Sequence, residues 1–175
     1  MKNILLLVCL SFTIGCVAQQ NFDQLDRIDQ IQAVVVTPKM FDMMAKVKMD
    51  DTDKGAAHYL ALIASLDQLK LYTTTDKQAA IIMKSVVDQY VVASKLSVLT
   101  AVSEQEKKVS LYTKPGTTTD LVAEILLHLE GTGNQESMLF SLTGNINLDE
   151  VAFLSERLKL NGNESIQKAV KSLKK

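Results

Sequence analysis

The sequence predicts an α+β fold, a mostly antiparallel sheet of about five to six strands with helices packed on one face. Three observations predict it. Apolar or alternating runs of strand length recur along the chain, at residues 33–37, 66–73, 98–102, 109–113 and 121–130 and in the apolar stretch after Ser137. Residues 38–47, 77–94 and 148–160 instead carry apolar side chains three and four apart, each stretch preceded by a residue suited to capping a helix. Two pairs of strand runs are joined by short polar connections, which favours antiparallel hairpins over parallel crossovers.

In chain order, residues 21–32 place Phe22, Leu25, Ile28 and Ile31 three apart, which predicts one or two helical turns. The valine run at 33–37 predicts a buried strand. Thr37-Pro38 then opens a helix, with Thr37 as cap and proline at the first helical position. Met40, Phe41, Met44 and Val47 make its apolar face, with Met43 beside it. Residues 49–55 form an acidic loop, and 56–65 a short helix with Tyr59, Leu60 and Ile63 inward. Leu69 and Leu71 alternate with Lys70 and Tyr72, as in a strand with one wet face. Asp76 caps the longest helix, 77–94, whose stripe is Ala79, Ile82, Met83, Val86, Val87 and Tyr90.

A hairpin follows, with Val98, Thr100 and Val102 on the way out and Val109, Leu111 and Thr113 on the way back. Residues 104–108 lie at its tip, and Pro115-Gly116 closes it. Residues 121–130 fit either a strand or a helix, and the following Gly-Thr-Gly-Asn loop favours a strand. That strand would show Ala123, Ile125, Leu127 and Leu129 on one face and Glu124, His128 and Glu130 on the other. The stretch 137–160 is then a strand, a turn at Thr143-Gly144-Asn145 and a helix. Asn147 with Glu150 makes a capping box, and Leu148, Val151, Leu154 and Leu158 form the helix face. Residues 164–175 predict a basic amphipathic helix or a frayed tail.

Length and composition suit a single domain at 19–175, with a core of aliphatic and Met side chains because aromatics are scarce and Trp is absent. Residues 1–18 have the pattern of a signal peptide: Lys2, an apolar stretch at 4–14 too short to span a bilayer, and small residues before Gln19. Two processing readings compete. Cys16-Val17-Ala18 suits ordinary cleavage after Ala18, whereas residues 13–16 form an imperfect lipobox in which Thr13 replaces the usual Leu or Val. Both readings export the protein. The first makes it periplasmic or secreted, and the second anchors it to the envelope through a lipid on Cys16, its only expected membrane contact.

Of 19 basic residues, cleavage removes Lys2 alone, leaving 18 against 20 acids and a net charge of −2. Such a balance offers no electrostatic footprint for nucleic acid. Cleavage after Ala18 also removes Cys9 and Cys16, and with them any disulfide, thiol nucleophile or Cys metal ligand.

No motif points to an enzyme: there is no G-x-S-x-G elbow, phosphate-cradling glycine loop or HExxH. His58 and His128 are far apart in sequence, so metal and cofactor sites are not expected. Asp50, Asp51 and Asp53 before Gly55 superficially resemble a calcium loop. With Gly55 at its sixth position, however, Thr52 and Lys54 fall on ligand positions and Ala61 stands where the closing Glu belongs. The pair Asp149/Glu150 is explained by the positive end of a helix. The cluster Glu124, His128 and Glu130 is the one constellation with acid–base potential, against a plain reading as solvated strand side chains.

Four segments, VVVTPKMFDMMAKV (34–47), LDQLKLYTT (66–74), VSLYTKPG (109–116) and SLTGNINLDEVAFLSERL (141–158), give the chain a family resemblance. It resembles the bacterial family filed as domain of unknown function 4252, over nearly all of residues 19–175. The resemblance implies an exported envelope domain without assigned activity, and it carries no catalytic residues over. Two functions follow as expectations. One is a non-enzymatic domain that binds an envelope protein or component through a wet sheet face or an exposed edge. The other is a carrier of a small apolar ligand in a cavity between helices and sheet lined by Met40, Met43, Met44, Met49, Met83 and Met138.

Overall fold

The strand runs of the sequence pair into one antiparallel sheet, seen in a computed structural model that describes residues 21–46, 54–104, 107–131 and 135–147. Its strands are β1 (Gln32–Val36), β2 (Leu66–Thr74), β3 (Ser97–Glu104), β4 (Lys107–Pro115), β5 (Leu121–Gly131) and β6 (Ser137–Asn147). Their order is β1-β2-β6-β5-β4-β3, with β6 and β5 central and β1 and β3 at the edges. The described helices are α1 (Pro38–Ala45), α2 (Lys54–Ser65) and α3 (Lys77–Ala93), preceded by a 3₁₀ turn at Leu25–Arg27. The chain is therefore α+β with an antiparallel sheet, as its periodicity predicts. The predicted signal peptide at 1–18, most of the acidic loop, and the helices at 148–160 and 164–175 lie outside the described residues.

The helices do not share one face of the sheet. Ile125, Leu127 and Leu129 of β5 pack in a core with Phe41 of α1 and Leu62 and Ile63 of α2. Leu126 of β5 and Leu139 of β6 point the other way, into a second core with Ala79, Met83, Val86 and Val87 of α3. Successive strand residues point to opposite faces, so α1 and α2 cover one side and α3 the other. An amphipathic helix needs any apolar surface, and these strands offer one on each side.

Three further expectations are corrected for related reasons. The valine run does form a strand, at Gln32–Val36 rather than 33–37, but β1 is an edge, and Val34 and Val35 are 53% and 37% exposed rather than buried. Tyr72 is not on a wet face: it is fully buried on the α3 side, beneath the edge of the Phe22 ring. The Thr143-Gly144-Asn145 turn is absent, because β6 runs through it with partners on both sides. Gly144 sits there at φ 151°, opposite a bulge in β2, and a β-carbon would run into the Ser65 carbonyl oxygen. Only glycine accepts that backbone and that approach comfortably.

The α3 ends are built as local chemistry dictates. Asp76 Oδ1 accepts the Ala79 amide at 2.8 Å, the expected cap. At the far end the Leu96 amide reaches the Val91 carbonyl and the Lys95 amide the Val92 carbonyl, with Lys95 at φ 55°. This is a Schellman stop carrying lysine where glycine is usual. Thr37 caps α1 in position, but its hydroxyl makes no capping hydrogen bond. Phe22 stacks against Tyr90 at 4.3 Å and Asp23 pairs with Lys70 at 2.8 Å, which ties the N-terminal turn to α3 and β2.

Candidate functional site

Alternation along β5 places Glu124, His128 and Glu130 on one face, as expected, but that face is roofed by α3. Glu124 and His128 are only 4% and 2% exposed, so two of the three are buried rather than solvated. They belong to a wider polar stripe. Ser110 lies opposite His128 on β4, Ser141 hydrogen-bonds Glu124, and Ser137 lies opposite Thr74 on β2. All six buried polar residues among those described, Thr74, Ser110, Glu124, His128, Ser137 and Ser141, lie on the α3 side. The side under α1 and α2 holds buried apolar groups alone among the described residues.

Glu124 Oε2 accepts the Tyr90 hydroxyl of α3 at 3.0 Å and Oε1 accepts the Ser141 hydroxyl of β6 at 3.3 Å. Burial raises its pKa from the usual carboxylate range, and these two bonds together with nearby Lys114 offset only part of the rise. Both oxygens are occupied and shielded from solvent, so this carboxylate holds α3 to the sheet rather than meeting a substrate. Sequence reasoning finds Glu124 but misses Tyr90 and Ser141. Tyr90 is legible only as the end of an apolar stripe, and Ser141 sits in an apolar strand with no local sign of a partner.

His128 Nδ1 lies 3.9 Å from Glu130 Oε1, beyond hydrogen-bonding reach, and no hydrogen bond ties the ring to another described residue. Burial lowers its pKa to about 4, with Lys84 and Lys108 adding to the fall and Glu130 and Asp88 opposing it. The imidazole is therefore neutral at physiological pH. Glu130 is shared between Lys108 at 3.3 Å and Lys84 at 3.9 Å, and Lys84 also pairs with Asp88 at 2.9 Å. These exposed pairs are screened and weak individually. A cleft of about 210 Å³ opens beside them, lined by Asp76 at the cap of α3, by Lys77 and Lys84 of α3, and by His128, Glu130 and Ser137 of the sheet.

The other sequence candidates are not brought to this place. His58 is exposed on α2, whose apolar side chains belong to the opposite core. Asp50, Asp51, Asp53, Asp149 and Glu150 lie outside the described residues. Among the described residues no three His, Cys, Asp or Glu side chains come together as a metal-binding group. The described methionines share no cavity either. Met44 and Met138 pack in the first core, Met83 lies in the second across the sheet, and Met40 and Met43 are exposed. No described helix is long and apolar enough to cross a membrane.

No curated protein and no solved structure matches this chain. A family model described as Domain of unknown function (DUF4252) matches residues 25–154. That span takes in the whole sheet and all three described helices, and the chain belongs to this family.

Proposed function

We propose that this chain is an exported, non-enzymatic binding domain of the cell envelope that takes an extended segment of a partner protein along β1. The observation behind this reading is the character of that edge. β1 has the sequence Gln-Ala-Val-Val-Val, pairs with β2 in unbroken register, and exposes Val34 and Val35 on opposite faces. Sheet edges are normally guarded by charge, proline or a bulge, because their free amides and carbonyls recruit other strands. β1 has none of these guards within its length. The other edge differs, since β3 is interrupted by a bulge between Val98 and Thr100.

An added strand would gain main-chain hydrogen bonds from the edge, with alternate side chains flanking the two valines. An uncharged segment rich in β-branched residues fits that surface best. Both sheet faces carry helices, so an edge is left as the route of the two first envisaged. The export part of the proposal rests on the pattern at residues 1–18. Intact mass of the protein from its native host should begin at Gln19 or at a lipid-modified Cys16, and a full-length product would remove this part.

The binding part is tested by recovering partners from envelope extract with the mature protein as bait, beside its Val34→Lys and Val98→Lys variants. The expected partner is retained by wild type and Val98→Lys and lost with Val34→Lys. A partner retained by Val34→Lys, or none at all, would overturn docking at β1.

A further inference from the structure

The two ends of α3 are held in different ways. Both ends carry a cap, Asp76 at one and the Schellman stop at the other, but only the C-terminal half is also fastened by the Tyr90–Glu124 hydrogen bond and by Phe22 against Tyr90. Its N-terminal half lies over His128 and the open cleft, where the polar stripe of the sheet gives it a poorer seat than apolar strands would. Ala79 and Met83 are its buried anchors there. Among the described residues only the Lys84–Glu130 pair at 3.9 Å joins residues 77–84 to the strands by charge or hydrogen bond, so this end has fewer polar ties to the sheet than the other.

We infer that α3 is a proton-released cover: under mildly acidic conditions His128 takes up a proton and the N-terminal half of α3, residues 77–84, lifts from the strands. The groups that face the imidazole decide this outcome. From α3 they are Lys84 and Asp88, with Asp76 and Lys77 at the cleft mouth. From β5 they are Glu130 and, further along the same face, Glu124. β4 presents Lys108, Ser110 and Tyr112, β6 presents Ser137, and Gln135 lies just before that strand. Glu130 would welcome an imidazolium, but it already serves Lys108 and Lys84. Lys84 opposes the new charge directly from the helix. Lifting the helix separates Lys84 from the ring, admits water and uncovers Ser110, His128 and Ser137.

Linkage sets the size of the effect. The covered ring titrates near 4 and an uncovered one near 6.5, so between those values the open state binds more protons. The covered state therefore loses stability as pH falls through that window. From pH 7 to pH 5 its equilibrium advantage drops about twenty-fold.

Hydrogen exchange of the mature protein at pH 7 and pH 5, corrected for intrinsic exchange, reads this opening by segment. In wild type, protection of residues 77–84 should fall about twenty-fold while β5 and β6 keep theirs. His128→Asn should show no such fall. Lys84→Gln, at a half-exposed position that leaves the core intact, should show a smaller fall than wild type when the comparison is carried on to pH 4, where the covered ring itself titrates, because a cation opposing the imidazolium is gone. The inference is overturned if residues 77–84 are equally protected at both pH values, or if the strands lose protection together with the helix. It is overturned equally if Lys84→Gln shows an undiminished fall at pH 4, a comparison that stands even should His128→Asn fail to fold.

Discussion

Replacing Glu124 by Gln should leave the protein at least as stable at pH 7, whereas replacing it by Ala should cost about 2–4 kcal/mol. The Ala figure follows from what is orphaned. The Ser141 hydroxyl is 5% exposed and loses its acceptor outright, and the half-buried Tyr90 hydroxyl loses its own but can reach water more easily. A buried polar group left unpaired costs about 1–3 kcal/mol, so the sum lies in the lower part of the doubled range. Gln keeps a carbonyl for Tyr90 and can donate its amide to Ser141, whose proton is free to turn elsewhere.

Gln also removes a charge that the fold tolerates poorly, since burial outweighs the bonds and raises the Glu124 pKa. A raised folded pKa means that the wild type gains stability, relative to Gln, as pH falls into the carboxylate range. Denaturant melts of wild type and Glu124→Gln at pH 7 and pH 4 test this, because His128 contributes equally to both proteins and cancels. A Gln variant less stable by more than about 1 kcal/mol at pH 7, or a gap indifferent to pH, would refute the account of a strained buried carboxylate.

Other substitutions test separate pieces of the structure. Among the described residues the buried Tyr72 hydroxyl has no partner within hydrogen-bonding geometry, and burial, with Asp26 close by, pushes its pKa well up. Tyr72→Phe should therefore be neutral or stabilising by up to about 1 kcal/mol, and a lower denaturant midpoint would reveal an acceptor such as Asp26. Gly144→Ala should cost more than about 2 kcal/mol, read as a lowered midpoint, because a β-carbon meets backbone at a left-handed φ. Lys95→Gly should stabilise by about 0.5–1 kcal/mol, since glycine takes the Schellman position at φ 55° without strain. An unchanged melting temperature would mean that Lys95 makes compensating contacts.

Much of the local structure is legible in the sequence. Asp76 before an apolar stripe fixes where α3 begins, and alternation through Val109 and Leu111 marks β4. Alternation also places Glu124, His128 and Glu130 on one face of β5. These features depend on residues two to four apart, whose relation the backbone geometry sets directly. What a residue meets beyond its own element is a different matter. Val34 and Val35 have the pattern of a buried strand, yet in the order of the described strands β1 stands at the edge with no outer neighbour.

An amphipathic stripe shows that a helix is covered on one side but not which face of the sheet covers it. α3 joins β2 to β3, the second strand in the order to the last, and so crosses the strands between them. That crossing brings Tyr90 to Glu124 and roofs His128, which turns two ordinary titratable side chains into buried ones with displaced pKa values. Residue type supplied those groups. Their burial depends on strand order and helix placement, which bring together residues 34 positions apart in the case of Tyr90 and Glu124. No period of two or four in the sequence encodes such a meeting, and only the folded chain decides it.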